Sequence, residues 1–403
     1  MRVKSIDALR GLDMLLICGL EALVVAACRW AGCSDCWLAR TLEHCRWSGF
    51  HLLDGVFPLF IFLAGVSFPF SWQGRRERGL TRGGMTLGIF RRMFLLVLLG
   101  AVYNGFLTDV FTSEPRYASV LGRIGLAWGL AALLYLFCGL RTRVTVAVAV
   151  LVGYWAFQAF VPCPDAQALE VVNAPPLDPY WMAQFDEPHY LNGPFSINGC
   201  WNGWFDRHFL PGRLMFGGPN YGAAQLPTRM LDPEGLLSTL SAVVTALLGM
   251  FAGDILRAAS PSPRRKVGML ALVGAGCGLL ALAWTPWCPV IKNLWTSTFV
   301  LVAGFWSFVL LALFYWLVDV RGWERWAFPL RVVGANAIAA YLLWRICDFT
   351  RISAFFLGSA SERTGLCAWC APETASLVTA AGGLALVWCV LLFLYRKKAF
   401  FKV

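Results

Sequence analysis

The sequence of 403 residues holds only four histidines, and they are where proton chemistry near neutral pH has to be sought. His44 and His51 precede Asp54, and Glu21 comes shortly before them in a largely apolar stretch. A helix through His51 and Asp54 would put both on one face, one turn apart. His189 and His208 lie in a later polar stretch. Further ionisable residues sit in or beside apolar runs: Asp13, Arg123, Asp232, Glu234 and Asp254. Charges in such runs are costly and tend to mark substrate paths, although a hydrated span end would also account for Asp13 and Asp254. The Asp232-Pro-Glu234-Gly turn has two readings, a proline-initiated helix start with acids in its first turn or a site for a cationic amine or sugar hydroxyls.

These residues need a scaffold, and composition says which kind. The chain is 58% hydrophobic and 14% charged, with a mean hydropathy of +0.63. Soluble domains carry about 25% charged residues, so this chain cannot clothe itself for water. The expected fold is all-α, a polytopic transmembrane helical bundle of about ten spans. The spans fall near 9–28, 52–72, 89–110, 124–140, 144–161, 236–255, 267–284, 297–318, 332–346 and 375–395, the ninth being short. No internal repeat is visible, and the first apolar run lacks a signal-peptide cleavage pattern.

Most of the 34 Lys and Arg residues fall on one side of these spans, in short loops and tails. By the positive-inside rule that side is cytoplasmic and holds both termini. The net charge of +11 is therefore a topology signal, and nucleic acid is not an expected partner. The whole chain, 1–403, reads as a single transmembrane domain. The long polar insertion 162–231, between the fifth and sixth spans, becomes an extracytoplasmic loop of functional length. Most of the 14 cysteines fall on the outer side, which favours disulfides in an oxidising compartment. The pairs Cys33/Cys36 and Cys367/Cys370 could instead make a four-thiolate zinc site; disulfides are preferred and no metal is expected.

Several motifs then carry a family resemblance. The opening RVKSIDALRG and the segment HCRWSGFHLLDGVFPLFIFLAGVS, which starts at His44, are followed by LGRIGLAW, WFDRHFLPGR, DPEGLLSTLSAVVTALLGMFAG, VIKNLWTSTFVL and GANAI. Each is weak alone, but in this order they cover residues 2 to about 345, and the chain resembles the heparan-alpha-glucosaminide N-acetyltransferase family. The resemblance implies transfer of an acyl group, usually acetyl, from cytoplasmic acetyl-CoA to the amine of a terminal glucosamine on the other side. It puts the catalytic histidine at His44, with Asp54 and Glu21 beside it. It assigns Asp206, Arg207, Asp232, Glu234, Lys292, Asn293, Trp295 and Asn336 to substrate, with Lys292, Asn293 and Asn336 as candidate oxyanion donors. Lys4, Arg10, Arg91 and Arg123 are assigned to the phosphate-bearing coenzyme.

Where relatives commonly carry asparagine, this chain has Glu21, which could orient His44 or read a cationic acceptor. The chain starts directly at the core, without a lumenal domain, which looks like a bacterial member in the cytoplasmic (inner) membrane with its acceptor side facing the periplasm. The expected partners are the bilayer, a coenzyme A thioester and a small amino sugar or glycan, with a homodimer left open. Two alternatives use the same residues: sugar O-acylation, and an inward transporter of amino sugars or N-acetyl sugars without acyl chemistry.

Overall fold

In the computed structural model the described residues are 3–106, 115–164, 189, 193–197, 199–216, 229–357 and 370–401. Among them the fold is all-helical, with isolated bridges in place of strands. Among the described residues, nine helical segments are long and apolar enough to cross a membrane. The first is α1 (Lys4–Leu15) and α2 (Glu21–Trp30), joined through a π turn at Leu16–Leu20. A short α3 (Trp37–Thr41) follows, then α4 (Val56–Glu77), α5 (Arg82–Tyr103), α6 (Val120–Phe137) and α7 (Leu140–Phe160). The insertion between the fifth and sixth spans contributes α8 (Trp201–Phe209), ahead of α9 (Leu236–Arg257), α10 (Pro263–Trp284) and α11 (Ser297–Phe314). The chain ends with α12 (Phe328–Gly334), α13 (Ala337–Ile346), α14 (Phe349–Leu357) and α15 (Pro372–Arg396).

The expected ninth span proves to be a broken one. Asn336 leaves helical geometry between α12 and α13, so 328–346 climbs beside the first span in two pieces. Leu330 lies against Gly11, Ala340 accepts a weak hydrogen bond from the Cys18 thiol, and Trp344 packs on Gly19.

Helix starts follow local chemistry. The hydroxyls of Thr81, Ser119 and Thr296 each accept from the amide three residues on, capping α5, α6 and α11. The central crossing is α4 against α9, where backbones approach without side chains between them. A Cβ at Gly249 would come within 2.0 Å of the Phe62 carbonyl oxygen, and one at Gly65 within 2.2 Å of that of Ala246. Small residues at such crossings give transmembrane helices their van der Waals contact. By contrast α5, α10 and α15 bury little of themselves and offer Leu, Val and Phe to lipid.

The ends of the bundle differ. At one, Lys4 bonds Glu324 (2.6 Å) and Arg10 donates to Ser67 (2.8 Å). Asp254 there accepts from Tyr135 Oη (2.6 Å) and Arg143 (3.2 Å), a helix-tying role. The opposite end holds His44 and the α6 and α9 starts. Of the expected disulfides, no bond joins any two described cysteines. Cys28, Cys33 and Cys36 are instead linked through their backbones, Cys33 N–H donating to Cys28 O (2.8 Å) and Cys36 N–H to Cys33 O (3.2 Å), while Cys367 lies outside the described residues.

Candidate functional site

The His44 loop is held to the loop before α11 by backbone pairing. Ser48 bridges Ile291, and Gly49 N–H donates to Val290 O at 2.8 Å. This brings Lys292 and Asn293, far away in sequence, over the start of α4. Asp54 is fully buried in the single turn Leu52–Gly55, and four donors converge on it. Oδ2 accepts from the amides of Cys45 (3.1 Å) and His51 (3.1 Å), while Oδ1 meets His44 Nδ1 (2.8 Å) and Lys292 Nζ (3.2 Å). With its proton on Nδ1 toward this carboxylate, His44 keeps Nε2 as an acceptor. Lys292 Nζ also lies 2.9 Å from Nδ1 and 3.5 Å from Nε2, so three groups meet at one point.

The predicted shared helix face of His51 and Asp54 is corrected by this geometry. His51 stands before the helix begins, with its amide on Asp54 and its Nδ1 donating to Glu43 O at 2.9 Å.

Around this point opens a cavity of about 470 Å³. Its polar lining includes His44, Cys45, Asp54, Lys292, Asn293, Glu21 and Glu234. Aromatic rings of Trp47, Phe57, Tyr103, Phe216 and Tyr341 complete the walls. Glu21 reaches it because the π turn, with Gly19 at φ +99°, breaks the first span just below. Its Oε2 is buried without a hydrogen-bond partner.

A second charge cluster closes the far wall. Arg116 donates to both oxygens of Asp232 (2.8 and 2.6 Å) and to Glu234. The two carboxylates hold the Arg116 guanidinium firmly protonated, outweighing the opposing effect of its burial. Burial pushes the Glu234 carboxyl up despite that cation. Behind them, Asp206 accepts from the amides of Asp232 (3.1 Å) and Leu236 (2.9 Å), pinning the turn before α9. Burial raises its carboxyl to about 7, against the lowering effect of those amides. Sequence reading passed over Arg116, the single cation between α5 and α6.

Other assignments separate from the cavity. Asp206 and Arg207 do not line it; Arg207 donates to Met230 O (3.1 Å). Asp232 stands one layer back, behind Glu234. Trp295 is buried beneath the cavity, edge-on to Phe57 and under the guanidinium of Arg123 at 4.9 Å. Asn336 is corrected outright. Its side chain binds the C-terminal tail at Ala399 O and Phe401 N, and it is not among the residues lining the His44 cavity. Arg123 is corrected too, since it donates to Gly235 O and Ser238 at the α9 start, away from Lys4 and Arg10. Arg91 is exposed near the middle of α5 and does not line the cavity.

Cys45, His51 and Asp54 place donor atoms within 4.8 Å of one another, a spacing a metal ion could use. The set fits a metal poorly: four donors already occupy Asp54, and the Lys292 ammonium would oppose a second cation.

No family model matches the chain. Among curated proteins, human heparan-alpha-glucosaminide N-acetyltransferase is 26% identical over 438 residues, covering 100% of this chain and 60% of the human protein. The mouse protein of the same name is 26% identical over 382 residues, 85% of this chain and 53% of the relative. The chain thus spans little more than half the length of these relatives.

Proposed function

We propose that this homologue of the heparan-alpha-glucosaminide N-acetyltransferases is a membrane-embedded N-acyltransferase that moves an acetyl group from acetyl-CoA to the amine of a glucosamine-type acceptor. The observation that carries the reading is His44, half-exposed in the cavity with Nδ1 on buried Asp54 and Nε2 left basic. An ammonium must lose a proton before it can attack a thioester, and a ring nitrogen presented this way can take it. Asp54 holds the tautomer and steadies the imidazolium that forms. Lys292 and Asn293 face the same space and supply charge and an amide for the tetrahedral oxyanion. Glu21 and Glu234 favour a cationic amine, and the aromatic walls suit the apolar face of a sugar ring.

The acceptor reaches this end from outside the cell, at the periplasmic face of a bacterial inner membrane. The donor enters at the opposite, cytoplasmic end, where Lys4 and Arg10 lie and both termini sit. The measurement is transfer of label from radiolabelled acetyl-CoA to glucosamine by the purified full chain. Label in N-acetylglucosamine, lost in a folded His44→Ala variant, supports the reading. Sugar uptake into proteoliposomes without any coenzyme A release would overturn it in favour of transport.

A further inference from the structure

His44 is followed directly by a thiol that the proposed chemistry has not used. Cys45 lines the same cavity and is half-buried. A ring nitrogen of His51 and a carboxylate oxygen of Asp54 lie within 4.8 Å of its sulfur and of each other. The His51 ring is already oriented. Its Nδ1 is 2.9 Å from Glu43 O, and since a carbonyl can only accept, Nδ1 carries the proton and Nε2 is the base. A thiol with a histidine ring nitrogen within 4.8 Å, on a histidine whose tautomer a backbone carbonyl fixes, holds the parts of an activated sulfur nucleophile. Asp54 thereby serves two histidines at once, the His44 ring through Oδ1 and the His51 backbone through Oδ2.

We propose that Cys45 is the acyl carrier of this site, activated by His51, with His44 acting on the acceptor in a separate half-reaction. This rests on the acyl-transfer reading above. In the first half, His51 takes the Cys45 thiol proton and the sulfur attacks the acyl carbon of acetyl-CoA. The new carbon–sulfur bond forms as the bond to coenzyme A breaks, and the departing thiolate takes the proton from His51 to leave as coenzyme A thiol. One thioester replaces another, so the step is close to energetically neutral. In the second half, His44 removes a proton from the acceptor ammonium and the amine attacks the acetyl-Cys45 carbon. The carbon–nitrogen bond forms, the Cys45 sulfur leaves and is reprotonated, and one net proton goes to solvent. The two histidines thus divide the work, His51 serving the donor step and His44 the acceptor step.

The test uses the purified full chain in detergent, incubated with radiolabelled acetyl-CoA and no acceptor, then quenched in acid. Stoichiometric label should appear on the protein, mapping by peptide mass to Cys45, with release of one equivalent of coenzyme A. The label should discharge as N-acetylglucosamine when glucosamine is added. Cys45→Ala keeps the backbone amide that Asp54 binds, so the fold should survive; it should lose the label and at least a hundredfold in turnover. His51→Asn should slow labelling more than tenfold, and His44→Ala should still label but fail to discharge. Label on His44, or turnover by Cys45→Ala within threefold of wild type, would overturn the proposal while leaving the acyltransferase reading standing. No coenzyme A release and no amide from the wild-type chain would instead bring down both.

Discussion

Two charge clusters face each other across the cavity, built from similar residues to different ends. His44, Asp54 and Lys292 gather around one buried carboxylate, and the histidine that completes them is half open to the cavity. Arg116, Asp232 and Glu234 gather around one guanidinium that is itself largely buried. In the first, a basic nitrogen is left over for work. In the second, the Arg116 guanidinium is shared between two acids, and Asp206 fixes the turn that carries them. An open cluster with a spare base is built to exchange protons, whereas a closed one holds geometry. Only Glu234 leaves its cluster to touch the cavity.

Substitutions should separate the two. His44→Ala should lower kcat for acetyl transfer by about 10²–10⁴, the usual worth of a positioned general base, with an unchanged thermal transition. Arg116→Ala should do the reverse first, since it strands two buried carboxylates. Such a loss costs about 3–5 kcal/mol, to be read as a lowered unfolding temperature in detergent. If Arg116→Ala left stability intact and abolished only turnover, the closed cluster would be catalytic and the contrast would fail.

Asp206 gives the closed cluster a pH signature. Its carboxyl is raised by burial to about 7, so its share of stability is fully present below the ordinary aspartate range. That share is lost as pH rises through about 7. Asp206→Asn should flatten the fall in unfolding temperature between pH 5 and 8, while a carboxyl with no such burial would show no slope to flatten.

How much of this could be read beforehand varied with the kind of signal. His44, Asp54, Lys292 and Asn293 lie in ordered motifs beside apolar runs, where a polar residue stands out, and the structure gathers all four. The spans were legible because hydrocarbon thickness dictates their length. The break at Asn336 was visible only as a short run, because the departure from helix depends on packing beside the first span. Asn336 and Arg123 were misplaced because a motif tells that a residue matters without telling at which end of a helix it points. Arg116 carried no motif; its signal was charge complementarity with Asp232 and Glu234 across more than a hundred residues, which requires the fold to bring them together. The π turn that delivers Glu21 was equally silent, since a single extra residue in a helix leaves the apolar pattern almost intact.

Glu21 is the place where the comparison can be sharpened most finely. It belongs to neither cluster, and its Oε2 is buried without a hydrogen-bond partner at the cavity wall, a costly position for a group with nothing to bind. A cationic amine is the chemistry that would satisfy it. Glu21→Gln should then raise KM for a glucosamine acceptor about tenfold, equivalent to roughly 1.4 kcal/mol, with kcat nearly unchanged. A neutral acceptor that places a hydroxyl where the amine sits should lose nothing. The split between KM and kcat decides the matter, because a residue acting through the His44–Asp54 pair would depress kcat for both acceptors alike. Equal loss with either acceptor would move Glu21 into the open cluster and make it a positioning residue for His44 rather than the reader of the acceptor's charge.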